Sequence, residues 1–148
     1  MGFFSNLKNA VTGGAATVQV QAPPVQRGTP AMVQIWAQAK SSGSVNGVYL
    51  LVRAVEHAQV RDTDYNNGSV RTETVRNTHT AWEYRIPVAG PFQMAEGQQM
   101  NWQASLQLPT NIGPSFQGQT ISHVWEVQAG LDMTGNDPDS GWVQLQVY

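Results

Sequence analysis

The sequence predicts an all-β fold of two antiparallel sheets packed face to face, and three observations predict it. Apolar and polar residues alternate with period two through most of the chain, turn signals recur between the alternating runs, and helical periodicity is nearly absent. A closed barrel is the alternative that the same pattern admits. At 148 residues the chain can bury most of the apolar surface it exposes when unfolded, so one domain over 15–148 is expected, preceded by a short helix over 1–14. No repeat, low-complexity tract or linker divides it.

Phe3, Phe4, Leu7 and Val11 recur at helical spacing, and Gly13-Gly14 then stops a helix. The apolar stripe of this amphipathic segment is expected to cap an open end of the sandwich. Docking to a membrane surface or a partner is the competing role, and it is disfavoured because Lys8 alone charges the polar face. Val18 and Val20 alternate with Gln19 and Gln21 in a strand over 16–21, which Pro23-Pro24 ends because proline has no amide proton to donate. Arg27-Gly28-Thr29-Pro30 reads as a turn, and Val33, Ile35 and Ala37 share one face of a strand over 32–39. After the loop Ser41-Ser42-Gly43-Ser44, residues 48–55 are apolar on both faces, with Val48, Leu50, Val52 and Ala54 opposite Tyr49, Leu51 and Val55. A central strand covered on two sides reads this way.

Tyr65-Asn66-Asn67-Gly68 is a hairpin signal, since Asn and Gly tolerate the positive φ that tight hairpin turns demand. Its arms should be polar strands, with Arg71, Glu73 and Arg76 on the return. Trp82, Tyr84 and Ile86 share one face of a strand over 80–86 that precedes Pro87, and Pro91 and Glu96-Gly97 mark the next loop. Trp102, Ala104, Leu106 and Leu108 then fall on one face, as do Trp125, Val127, Ala129 and Leu131 in a strand over 121–132. A loop crowded with breakers, residues 133–141, leads to a last strand over 142–147.

Only 12% of residues are charged, 41% are hydrophobic, and the rest lean on Gln, Asn, Thr and Ser, which suits strands with one wet, uncharged face. The net charge of −2 and the scattering of Arg27, Arg53, Arg61, Arg71, Arg76 and Arg85 among acids disfavour nucleic acid as a partner. The chain has no cysteine, so disulfides, thiolate nucleophiles and thiolate metal sites are excluded and a cytoplasmic location is expected. No apolar run approaches the ~20 residues that span a bilayer, and neither an export signal nor the myristoylation pattern is read at the start, where Asn6 stands in place of Ser or Thr.

The order Glu96-Gly97, alternating strand, Leu108-Pro109, Pro114-Ser115-Phe116-Gln117-Gly118 and Trp125-Glu126-Val127-Gln128-Ala129-Gly130-Leu131-Asp132 resembles the closing third of an arrestin-type N-terminal β-sandwich. The start, Phe3-Phe4-Ser5-Asn6-Leu7-Lys8 followed by Gly13-Gly14-Ala15-Ala16-Thr17-Val18, looks like the opening of bacterial sporulation-control proteins, which belong to the arrestin-like group. The ending with Asp137-Pro138-Asp139 is similar to the same group. The resemblance implies an immunoglobulin-like, arrestin-type antiparallel β-sandwich with a short N-terminal amphipathic helix. It also implies an interaction or regulatory module of bacterial type that uses no cofactor. Family members characteristically carry two such sandwiches, whereas this sequence supplies one, so self-association is an expected way of covering the surface a second would occupy.

Asp62, Asp64, Asn66 and Glu73 supply oxygen donors at positions 1, 3, 5 and 12 of a loop and are the candidate metal ligands, because hard cations take such donors. The glycine of that pattern comes one place late, at Gly68, and the flanks read as strands, so a solvated hairpin tip is expected instead. Asp132, Asp137 and Asp139 form a second acidic stretch that self-capping turns explain. His57, His79 and His123 lie at no metal-ligand spacing, Ser115 lacks a nucleophile elbow, and Glu56, Glu73, Glu83 and Glu126 fall where alternation points them to solvent. No catalytic constellation emerges. Trp102 and Trp125 share faces with aliphatic residues and belong to the core, whereas Trp36 and Trp142 share faces with glutamines. Together with Tyr65 and Asn67 they are the candidate contact residues.

The leading expectation is a non-enzymatic module that binds a protein partner through sheet edges, or through the loops at 65–68 and 135–141. A calcium-dependent or glycan-binding sandwich is one alternative. A structural protein that assembles through its strand edges into an oligomer is another. Peripheral membrane contact is not expected.

Overall fold

The computed structural model describes residues 14–148. Its strands are β1 (Ala16–Gln21), β2 (Ala31–Ala39), β3 (Gly43–Val45), β4 (Gly47–Asn66), β5 (Ser69–Ala89), β6 (Phe92–Met94), β7 (Gln99–Leu106), β8 (Phe116–Gln117), β9 (Ile121–Asp132) and β10 (Val143–Leu145). The described residues contain no helix, and the expected helix over 1–14 lies, apart from Gly14, outside them. One sheet has the order β1-β2-β7 and the other β10-β9-β4-β5, with β8 added on β9 and β3-β6 as a short separate pair. All the named strand pairs are antiparallel. The sheets are open rather than closed into a barrel.

Period-two alternation places the core. In the first sheet Val18 lies opposite Ala37 and Val20 opposite Ile35, and all four are buried. In the second Leu50, Val52 and Ala54 lie opposite Ala129, Val127 and Trp125, all of them fully buried. Each buried Val, Leu or Ile among them stabilises the sandwich by about 1.5–3 kcal/mol relative to exposure. The expected strand over 48–55 is indeed central, flanked by β9 and β5.

The stretch before Phe116 is a seam, and Phe116 itself begins the short strand β8. The Trp125 indole, at the centre of the core, donates to the Gly113 carbonyl at 2.8 Å, which satisfies the one polar atom of a fully buried ring. The Ser115 hydroxyl accepts from the Val147 amide at 2.9 Å, and Arg27 donates to the Ile112 and Tyr148 carbonyls at 2.8 and 3.0 Å. Residues 25–28, 108–115 and 145–148 are thereby bound into one edge of the sandwich.

β4 and β5 run far past their neighbours. β9 stops pairing at Ile121, opposite Ala58, whereas β4 and β5 remain paired to Asn66 and Ser69. Residues 59–66 and 69–76 therefore leave the body as a two-stranded ribbon, about 25 Å long at the usual strand rise. Asn67 and Gly68 close it with φ of 48° and 80°, the positive pair that the Asn-Gly signal predicted. A register shift between Ala54 and Val55 leaves Ala81 without a partner where β4 passes from buried to exposed residues, shortly before it parts from β9 beyond Ala58. The bulge bends the strand there. Pro87 does not end β5, which continues to Ala89; an edge strand tolerates a residue with no amide proton.

Candidate interaction edge and groove

β5 pairs with β4 along one edge, and among the described residues no strand pairs with its other edge. Trp82, Tyr84 and Ile86 lie opposite Ala54, Val52 and Leu50, so all three point to the side of the sheet that carries the core. Here the described residues cover that side incompletely. A groove of about 470 Å³ opens between β5 and the end of β7, lined by these three residues with Ser105, Leu106, Gln107, Leu108 and Pro109. Among the described residues no charged side chain lines it. Trp82 packs against the buried Trp125 with ring centroids 5.7 Å apart and stacks on Tyr84 at 6.0 Å, and Tyr84 is 56% exposed. A chain of aromatic rings thus leads from the core to an unpaired strand edge.

The outer face of the same sheet is polar and internally paired. Arg53 binds Glu126 at 2.8 Å and lies over the Trp142 ring at 3.8 Å. Arg85 lies over Tyr49 at 3.9 Å. The Tyr49 hydroxyl donates to Asp137 at 3.0 Å, and burial, with Asp137 second, pushes its pKa up to about 12. Asp137 also accepts from the Met133 amide and Asp139 from the Gly141 amide, so the acidic loop caps itself as expected. Glu83 lies opposite Arg53 but forms no ion pair among the described residues, and the Arg76 guanidinium reaches only the Gln59 amide oxygen, at 3.2 Å. Two opposite charges on β5 thus have no ionic partner in the described chain.

The candidate metal residues all fall on the ribbon. Asp62 lies opposite Glu73, Asp64 opposite Arg71 and Asn66 opposite Ser69, at alternate positions that share a face. Glu73 pairs with Arg71 at 3.2 Å, and the described residues hold no group of three or more His, Asp or Glu side chains able to take a metal ion. Tyr65, opposite Val70, is 80% exposed beside the Asn67 turn. Trp36 and Trp142 are not brought together. Trp36 lies half-buried between Gln19 and Asn101 on the outer face of the first sheet, and Trp142 lies under Arg53 on the second. His79 and His123 flank Glu56 across three strands, with His123 Nδ1 3.5 Å from the carboxylate, while His57 alternates to the other face beside Thr78.

Sequence spacing sets Trp82, Tyr84 and Ile86 on one face but does not mark them as a site. The available signal is Pro87, which inside a strand marks an edge, a first position or a bulge.

This architecture defines an arrestin-like β-sandwich. No protein-family profile and no curated protein matches the sequence. Among solved structures, the chain is similar to Spo0M, the sporulation control protein from Bacillus subtilis, with a TM-score of 0.62 and 18% identity over 91% of this chain and 50% of the other. At that identity the likeness is one of fold. The chain spans half the length of Spo0M. Among the described residues no helix is long and apolar enough to cross a membrane.

Proposed function

We propose that the protein is a non-enzymatic interaction module of arrestin-like fold that captures an extended protein segment along the free edge of β5. The observation that carries this reading is the coincidence of an unpaired strand edge with an uncharged aromatic groove. Main-chain hydrogen bonds to the edge would supply affinity, and alternate side chains of the captured segment would enter the groove beside Trp82 and Tyr84. Regulation by such capture, in a cytoplasmic setting and without a cofactor, belongs to the same proposal.

Selection from a displayed peptide library tests it. Recovered peptides should alternate apolar with polar residues and should be lost when proline replaces Glu83 or Tyr84, since one of two adjacent amides points to the open edge. Peptides that bind equally well to both proline variants would sink the reading.

A second reading rests on the other sheet, whose outer face sets Trp36 among Gln19, Gln21, Gln34, Gln38 and Asn101. Amides around an aromatic ring suit a neutral glycan, and silence on a glycan array would retire that possibility.

A further inference from the structure

We infer that the segment seated on β5 is β5 of a second copy of this chain, paired antiparallel across a two-fold axis. This rests on the reading of β5 as an interaction edge and adds the identity of the partner.

Opposite residues in an antiparallel pair share a face. The partners on β4 fix the faces of β5: Val75 and Asn77 in the ribbon lie on the same side as Trp82 and Tyr84 in the body, while Arg76 and Glu83 lie on the other. The unpaired Ala81 shifts the alternation, so core-side positions are odd in the ribbon and even in the body. A two-fold pairing that sets ribbon against body and keeps these sides together therefore opposes odd to even numbers. In one such register Val75 faces the partner's Tyr84 and Asn77 faces the partner's Trp82. On the outer side of that register Arg76 faces the partner's Glu83, and every contact occurs twice.

Charge selects this register. Sliding by two residues sets Arg76 against the partner's Arg85 in one direction and against the partner's Ala81 in the other. Of the three, only the register opposing Arg76 to Glu83 sets Arg76 against an opposite charge, and neither of these side chains has an ionic partner within the described chain. It also sets Val75, 46% exposed, beside Tyr84, 56% exposed. The ribbon, which has no core of its own, would then lie along the groove-bearing stretch of another copy.

Sedimentation equilibrium on the full chain should show a concentration-dependent dimer. Arg76→Glu or Glu83→Arg, each reversing two pairs per dimer, should weaken it on the order of tenfold. The double reversal should restore it. Because the chain has no cysteine, Arg76→Cys with Glu83→Cys reports the register directly. The two positions lie about 23 Å apart along one strand, so they can bridge only between copies, and oxidation should give a covalent dimer. A chain that stays monomeric to about millimolar concentration overturns the inference, as does a dimer indifferent to the reversals and not cross-linked. A monomer that still takes library peptides along β5 overturns only the second copy and leaves the interaction reading in place.

Discussion

The body of the sandwich and the ribbon that leaves it are built from the same two strands under opposite conditions. From Val48 to Val55 most residues of β4 are buried, whereas from Glu56 to Asn66 every one is exposed. In the body, backbone pairing is reinforced by a second sheet and by side chains such as Trp125 that touch both the core and a loop carbonyl. In the ribbon, order depends on cross-strand pairs such as Val60 with Val75 and on the Asn67-Gly68 turn. Isolated two-stranded ribbons are marginal in water. The contrast teaches that extended conformation and tertiary stability are separate properties here, and that the bulge at Ala81 marks their boundary.

The largest effect expected is at the centre of the body. Trp125→Ala removes a fully buried ring and frees the Gly113 carbonyl, and should cost about 3–5 kcal/mol in urea unfolding. Val60→Ala in the ribbon should cost about 0.5 kcal/mol or less. Comparable losses at the two sites would break the comparison.

A smaller loss is expected where the Tyr49 ring of β4 lies against the backbone of β9. Gly130 lies opposite Tyr49, and a Cβ added to it would run into the Tyr49 ring. Gly130→Ala should cost about 1–3 kcal/mol, because the ring is held by Asp137 and Arg85 and has little room to yield. An unchanged unfolding midpoint would show that this part of the body is looser than its packing implies.

Tyr49 also makes the body sensitive to alkaline pH. Its folded pKa, about 12, lies above the ordinary value of 10.0, so the unfolded chain loses this proton first. The stabilisation is complete below pH 10.0 and is lost as pH rises toward about 12. Tyr49→Phe should cost about 1 kcal/mol at neutral pH and remove this component of the alkaline decline. A decline of equal size in the variant would assign it to other groups.

Much of the body was legible in the sequence because one buried face imposes period two. The strands over 16–21 and 121–132 appear with the expected bounds, and the Asn-Gly turn lies where its positive φ required. Two features escaped. Residues 56–66 are mostly polar on both faces, Ala58 and Val60 apart, and nothing in such a pattern tells a strand inside a sheet from one that projects beyond it. The groove was hidden because Trp82, Tyr84 and Ile86 have the apolar spacing of a covered strand, and only strand order shows that β5 lies at an edge. The same limit separated Trp142 from Trp36, since the cation above Trp142 comes from Arg53, distant in sequence.

The smallest effect is the most discriminating. Replacing residues 61–74 with Asn-Gly joins Val60 to Val75 through a two-residue turn, and the alternation of paired positions is kept because Val60 is six residues, an even number, from Asn66. If the ribbon contributes nothing to the core, the shortened chain should unfold within about 0.5 kcal/mol of the parent. In the parent at concentrations where it is monomeric, amides of 61–74 should exchange with solvent far faster than those of β9, since they can open without exposing buried apolar surface. A loss above about 1 kcal/mol, or protection in the ribbon equal to that in β9, would join ribbon and body into one cooperative unit. The bulge would then be a bend within that unit rather than its boundary.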